Sequence, residues 1–298
     1  MNEHIRILEE TGQYRVLRRV PHPAPFEVKE NTRCVAYIDV ETTGLDSERD
    51  QITQLSIVYI YYDGEGKVVG IREGYNSYTD PGIPIPEHIT RLTGITNADV
   101  KGKVIQESDI EGILKDVNMI IAHNAQFDRP FLERKFKIFE RFPWACSKVH
   151  IPWRDFAEFG SDKLEYILFK YGYFYDAHNA ISDCLAAAFL LTQKLPDGRG
   201  AMETLLGNAW KNDLRIWAVD SPFDSKDILR QNGYRWNNGD DGRPKSWHKY
   251  IPSDELTAEA QWLVQNIYGA SRTVYMQVFD PLIKFSLREP RLERLRIG

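Results

Sequence analysis

The sequence is poor in cysteine and has no long apolar run. Its three cysteines, Cys34, Cys146 and Cys184, lie far apart without C-x-x-C spacing, which argues against a disulfide scaffold and a structural zinc site. The longest apolar run, 184–191, is far shorter than the roughly 20 residues that a membrane-spanning helix needs. The first residues lack the apolar stretch of a secretory signal. We therefore expect a cytoplasmic protein with no membrane partner.

The chain also lacks the positive charge of a protein that binds nucleic acid by bulk electrostatics. Its formal net charge is −5, and the excess of acidic residues lies in residues 1–198, whereas residues 199–298 hold slightly more Lys and Arg than Asp and Glu. An acidic domain can still bind phosphate if divalent cations occupy its carboxylates. The function class therefore depends on the motifs.

The pattern of apolar residues predicts an α/β domain. Segments rich in β-forming residues predict strands at 34–40, 52–62, 67–78, 119–122 and 144–149. Helical spacing of apolar residues predicts helices at 107–117, 126–139, 164–171 and 180–193. Strands that come first and then alternate with helices favour a mixed sheet flanked by helices.

The composition of the sequence changes at residues 196–200, a segment that contains Pro and Gly. We therefore predict an N-terminal extension at 1–32, an α/β domain at 33–198 and a small α+β accessory domain with a basic tail at 199–298.

Several signals describe the accessory domain. Ser221 with Asp224 forms a capping-box pattern that predicts the start of a helix, and 234–237 with 246–251 predicts a hairpin. Five of the seven tryptophans lie in this domain among Arg and Lys residues. Such interleaving is typical of surfaces that stack single-stranded nucleic acid, but large aromatic residues also form the core of a small domain. Both interpretations stay open.

The first motif with chemical potential is Ile38-Asp-Val-Glu-Thr-Thr-Gly-Leu45. Asp39 and Glu41 are two positions apart on a predicted strand, so both carboxylates project from the same face. Two like charges side by side are unfavourable unless a cation neutralises them. A lone pair of this kind is more often an exposed strand end, so the motif needs support from elsewhere.

Two further motifs carry acids. Asp128 lies in the first turns of a helix that follows the strand at 119–122, and Asp183 begins an Ala-rich helix with His178 in the preceding loop. Taken alone, Asp128 is an ordinary acid at a helix N-terminus and His178 an ordinary surface histidine. Together the three motifs supply four carboxylates. Such ligands suit two Mg²⁺ or Mn²⁺ ions that clamp a phosphodiester between them.

The motifs Asp-x-Glu-Thr-Thr-Gly-Leu at 39–45, His-Asn-Ala-x-Phe-Asp at 123–128 and His-x₄-Asp at 178–183 resemble those of the DEDDh 3′–5′ exonucleases. This DnaQ-like superfamily contains the proofreading subunit of DNA polymerase III and RNase T. The resemblance covers about residues 33–195. It implies an RNase H-like fold, with a mixed five-stranded sheet whose first three strands are antiparallel.

The resemblance also implies roles for the acidic residues and the histidine. Asp39 would bridge both metal ions, Glu41 and Asp183 would complete the tighter site, and Asp128 would hold the second ion through water. His178 would be the general base, a role that an ordinary histidine pKa of about 6.5 suits.

Substrate contacts follow from the same resemblance. Thr42, Thr43 and Leu45 would meet the terminal nucleotide, with Leu45 beside the last base. Asn124 and Phe127 would form part of the nucleotide pocket, although Phe127 fits the hydrophobic core equally well.

These inferences predict a two-metal-ion enzyme that releases 5′-mononucleotides from the 3′ ends of DNA or RNA, with DNA favoured. One alternative is an exoribonuclease of RNA processing. The other is an adaptor that binds nucleic acid through the C-terminal module. A polymerase or another nucleic-acid enzyme is the expected protein partner.

Overall fold

The computed structural model describes residues 2–177 and 179–298. These form two compact units, Met1–Ala209 and Trp210–Gly298. Within the described ranges, no helix is both long enough and apolar enough to cross a bilayer.

Among its described residues, the first unit contains seven strands and eight α-helices. The strands are β1 (Arg18–Arg19), β2 (Arg33–Thr42), β3 (Ile52–Tyr62), β4 (Val68–Tyr78), β5 (Ile120–Ala122), β6 (Trp144–Cys146) and β7 (Tyr173–Phe174). The α-helices are α1 (Asn2–Glu10), α2 (Glu87–Thr93), α3 (Asn97–Val100), α4 (Glu107–Ile113), α5 (Ala125–Lys135), α6 (Leu164–Lys170), α7 (Ala180–Leu190) and α8 (Ala201–Ala209). Short 3₁₀ helices occupy Lys137–Arg141 and Trp153–Asp155.

A five-stranded sheet with the order β4-β3-β2-β5-β6 forms the centre of this unit. The pairs β4/β3 and β3/β2 are antiparallel, whereas β2/β5 and β5/β6 are parallel. This arrangement confirms the RNase H-like mixed sheet predicted from the sequence. The nearly continuous apolar run of β3 places it inside the sheet, since both of its faces are buried.

Helix α7 packs closely on the middle of the sheet because its buried face is built from small residues. Ala186, Ala187 and Ala188 are fully buried. Cys184 Sγ lies 3.7 Å from the carbonyl oxygen of Tyr37 in β2 and 3.6 Å from that of Ser56 in β3. This close approach brings the first turn of α7 to the end of β2.

The N-terminal extension packs on the first unit at two places. Strand β1 pairs in parallel with β7, where Arg18 N donates to Gly172 O at 2.9 Å. Phe26 fills the space beside Gly70 and lies 5.0 Å from the Tyr61 ring. The strand of this extension is limited to Arg18–Arg19.

The first unit ends later than the boundary that the sequence suggested at residue 199. Helix α8 contributes Met202 and Leu205 to the same apolar cluster as Val35 and Ile121 of the sheet. The structural division therefore falls after Ala209.

The second unit is an α+β structure, as predicted. Its strands are β8 (Asp213–Ala218), β9 (Arg235–Asn237), β10 (Ser246–Pro252), β11 (Arg272–Phe279) and β12 (Glu293–Ile297). They form an antiparallel sheet in the order β12-β11-β8-β10-β9, which includes the predicted hairpin. Its helices are 3₁₀ Phe223–Ser225, α9 (Lys226–Gln231), 3₁₀ Ser253–Glu255, α10 (Leu256–Leu263) and a π-helix at Val264–Tyr268.

The capping box predicted at Ser221 and Asp224 is wrong. The 3₁₀ helix begins after Pro222, which has no side chain able to cap it, and no side-chain cap hydrogen bond forms there within the described residues. The fixed φ of proline starts this turn instead.

Candidate active site

Three acids from two elements meet at the end of β2. Asp39 and Glu41 project from one face of the strand, just before a bulge between Glu41 and Thr42. Asp183 lies in the first turn of α7, which packs across β2. One carboxylate oxygen from each of the three acids lies within 4.8 Å of the others.

Asp128 joins this cluster from helix α5. Its side chain is only 2% exposed, and its Oδ1 accepts a hydrogen bond from Val40 N at 3.2 Å. Val40 stands between Asp39 and Glu41, so the structure brings all four predicted carboxylates to one end of β2.

Mutual repulsion and burial perturb these acids strongly. Burial, followed by the charges of Asp128, Asp183 and Glu41, raises the pKa of Asp39 well above its usual value. Burial and the charge of Asp183 raise the pKa of Glu41 to about 7. Burial raises the pKa of Asp128 to about 8, although the Val40 N–H favours its charged form. A bound cation would therefore favour the ionised form of the cluster.

The donor set fits hard divalent cations. Every ligand atom in the cluster is a carboxylate oxygen, which suits Mg²⁺ and Mn²⁺ rather than zinc. Partly buried acids with raised pKa values are also characteristic of functional sites.

Two hydrogen bonds hold Asp183 in place. The Tyr175 hydroxyl donates to Oδ1 at 2.7 Å, and Asn179 N donates to Oδ2 at 3.1 Å. Burial and the Asp183 charge raise the pKa of Tyr175, so the phenol stays protonated and remains a donor. Tyr175 was not predicted from the sequence. The only available signal was its place three residues before the motif histidine.

The predicted general base, His178, lies outside the described residues. Its assignment therefore stays a prediction. The residue that follows it, Asn179, caps α7 by accepting a hydrogen bond from Ser182 N at 3.3 Å.

The turn after β2 holds the first group of predicted substrate residues. Thr42 and Thr43 are buried, and their hydroxyls donate within the turn, to Gly44 O at 2.5 Å and to Asp50 Oδ1 at 3.2 Å. Leu45, in contrast, is 85% exposed, and its side chain is free to meet a ligand. A Cβ on Gly44 would overlap the Asp50 carboxylate, so a larger residue here would displace that side chain.

The other two predicted contacts, Asn124 and Phe127, lie at the start of α5. Asn124 is exposed and has a left-handed backbone with φ of 89°, a conformation that asparagine tolerates better than most residues. Phe127 is half-buried, and its ring centroid lies 5.1 Å from that of Phe131. Phe127 thus contacts the hydrophobic core and retains an accessible edge.

His123, the other histidine of the motifs, has a structural position. Its two ring nitrogens lie 2.9 Å from Ser147 Oγ and 2.8 Å from Asp162 O. Burial lowers its pKa to about 4, so it is neutral at physiological pH and links β5 to two loops.

Comparison with known proteins decides the family. An RNase T model, described as exonuclease, matches residues 36–191. The chain belongs to this exonuclease family. The match includes the three acids that meet at the end of β2, as well as Asp128.

Individual relatives match shorter stretches. The PolC-type DNA polymerase III of Streptococcus thermophilus is 34% identical over 117 residues, which are 38% of this chain and 7% of that protein. The PolC-type enzyme of Caldanaerobacter subterraneus is 35% identical over 101 residues, 33% of this chain and 7% of that protein. The chain thus covers a small fraction of these polymerases.

Two solved structures are also similar. Exonuclease X in complex with 5′ overhanging duplex DNA has 21% identity and a TM-score of 0.41, covering 57% of this chain and 99% of that one. Escherichia coli Exonuclease I in complex with a dA16 oligonucleotide has 15% identity and a TM-score of 0.46, covering 74% of this chain and 63% of that one.

Proposed function

We propose that the first unit is a DEDDh-type 3′–5′ exonuclease that releases 5′-mononucleotides from nucleic-acid ends. The observation that carries the proposal is the convergence of Asp39, Glu41 and Asp183, with Asp128 beside Val40, inside the segment that matches the exonuclease family. The PolC-type relatives share the name DNA polymerase III, which supports DNA as the substrate and a polymerase as a partner.

In this proposal the four carboxylates would hold two Mg²⁺ or Mn²⁺ ions. Bound there, the ions would lower the pKa of the attacking water and neutralise charge on the scissile phosphate. The charges of all three other acids act on Asp39, so Asp39 would be the carboxylate best suited to contact both ions. Tyr175 and Asn179 N orient the Asp183 carboxylate.

The remaining roles fall to other residues of the motifs. His178, which precedes α7 in the sequence, would accept the proton of the attacking water as general base. The exposed Leu45 packs beside the terminal base, and the turn at Thr42 and Thr43 presents its backbone to the terminal sugar. Asn124 and the accessible edge of Phe127 line the far side of the nucleotide.

The test is degradation of 5′-labelled 20-mers of DNA and RNA with Mn²⁺. We expect a ladder that shortens from the 3′ end, faster for DNA. Asp39→Asn and Asp183→Asn should each slow it by at least about 100-fold, because each change removes a metal ligand. Asp109→Asn, an exposed acid on α4, is the matched control and should keep the wild-type rate. Unchanged rates in both site variants would refute the proposal.

A further inference from the structure

The sheet of the second unit has two faces of different character. Helices α9 and α10 cover one face, where Leu229 and Leu263 pack with Ile216 and Val274. We call the other side the open face. Its centre is buried, since Trp217, Arg215 and Gln277 are at most 3% exposed, and its exposed residues include Tyr250 and the arginines of β9 and β12. Direct pairing across the strands places one row of residues on it, in the order Arg235, His248, Trp217, Tyr275 and Arg294.

A second row lies beside the first and is made of Tyr250, Arg215 and Gln277. Arg215 is buried, and its guanidinium carbon lies 4.6 Å from the Tyr250 ring centroid. It also forms an ion pair with Glu289 at 3.0 Å, from the connection between β11 and β12. This pair neutralises the central charge and fixes the aromatic rings around it.

The outer arginines of the open face are different. Arg235, Arg294 and Arg296 are exposed, and none of them forms an ion pair within residues 2–177 and 179–298. Arg296 pairs across the strands with Thr273, so it lies on the same face as Arg294. These cations are available to a ligand.

Two basic residues on the helix-covered side have acidic partners. Lys249 Nζ lies 2.6 Å from Glu259 Oε2, and Arg272 forms an ion pair with Asp220 at 3.0 Å. The acids nearest the open face are likewise neutralised, since Arg243 pairs with Glu289 and with Asp241. The open face therefore carries three exposed arginines that have no acidic partner among the described residues.

The pKa of His248 reflects the positive charge around it. Burial, followed by the nearby charges of Arg215, Arg243 and Arg235, lowers this pKa to about 4. Aromatic rings lie among these cations. Tyr250 is 51% exposed, and Tyr275 is partly exposed between β8 and β12.

We propose that the open face binds single-stranded nucleic acid, with backbone phosphates on Arg235, Arg294 and Arg296 and bases stacked on Tyr275 and Tyr250. Unpaired arginines attract phosphates, and exposed rings stack bases whose faces are free. Strands β9 and β12 are four strand spacings apart, about 19 Å, so their arginines can hold separate phosphates of one strand. A duplex fits poorly because its base faces are already stacked.

This binding does not depend on the proposed catalysis and is measured without it. The full chain in EDTA is titrated into a fluorescent 20-mer of oligothymidylate, and anisotropy gives Kd. Arg235→Glu with Arg294→Glu should weaken binding at least about tenfold and reduce the slope of log K against log salt by about 1.4, or 0.7 per phosphate contact. Tyr275→Ala should weaken binding at least about fivefold.

Matched variants separate a lost contact from a lost fold. Lys226→Glu with Arg230→Glu makes the same charge change on α9 and should leave Kd within about twofold, as should Tyr275→Phe, which keeps the ring. A 20-base-pair duplex should bind more weakly than the single strand. Wild-type affinity in the Arg235/Arg294 variant, an equal loss in the α9 variant, or equal affinity for duplex would each overturn the proposal.

Discussion

At the residue scale, the acids at the end of β2 are arranged for ligand binding at the expense of stability. Glu41 has a pKa of about 7 in the folded chain against an ordinary 4.5. A carboxyl group with a raised folded-state pKa contributes stability that is complete below pH 4.5 and is lost as the pH rises through about 7. Divalent cations bound at the proposed site would restore it by neutralising the charged form.

Glu41→Gln should therefore stabilise the metal-free protein at high pH. We expect a gain of about 1–3 kcal/mol in the free energy of unfolding at pH 8, and little change at pH 4, because glutamine removes the ionisable group. Urea denaturation in EDTA at the two pH values measures this. The exposed Glu107→Gln is the control. The same change in stability at both pH values would contradict the argument.

Tyr175 is expected to influence the proposed metal site indirectly, through its hydrogen bond to Asp183. Tyr175→Phe removes the hydroxyl that donates to Asp183 at 2.7 Å, so we expect activity to fall about 10-fold and the Mn²⁺ concentration for half-maximal activity to rise. Tyr173→Phe, which changes a nearby phenol packed on Phe189, should alter neither quantity. A Tyr175→Phe enzyme with unchanged Mn²⁺ dependence would show that the hydrogen bond does not position the ligand.

At the element scale, the sequence predicted the first unit well because its signals are local. Strand β3 was predicted with its observed bounds, since its run of apolar β-forming residues is long and buried on both faces. Helix α4 is shorter than predicted and ends at Ile113. The four acids were found because their motifs stand at element ends, where backbone geometry fixes their direction.

The second unit was predicted less completely. Strands β8, β11 and β12 were not identified, because each mixes charged and apolar residues on two differently covered faces. In β8, the buried Arg215 alternates with apolar residues, and partners distant in sequence, Glu289 among them, satisfy its guanidinium. A partner so distant in sequence cannot be predicted from a local sequence pattern.

Strand β1 supports the segment that carries Tyr175. Arg18→Pro removes the N–H that donates to Gly172 O, so we expect a loss of about 1–2 kcal/mol in stability and a lower activity. Arg18→Ala keeps the N–H and serves as the control. Thermal unfolding and the 20-mer assay measure both effects. Equal behaviour of the proline and alanine variants would show that this pairing is unimportant.

At the scale of the whole molecule, the division after Ala209 predicts which fragments fold. A fragment ending at residue 209 keeps Met202 and Leu205 in the first core, whereas one ending at 198 loses both. We expect the shorter fragment to be less stable by at least about 4 kcal/mol, the sum for two large buried side chains. Denaturation of both fragments tests this. Equal stability would place α8 outside the first core.

The turn after β2 has a consequence for how a nucleic-acid end would be received. Asp50 accepts from Thr43 Oγ1 and from Asp46 N at 2.9 Å, and its carboxylate fills the space left by the missing Cβ of Gly44. The Asp50 side chain thus holds this loop in place before any ligand binds. The loop loses its conformational entropy during folding. Ordering the loop therefore does not reduce the free energy of binding when a ligand associates.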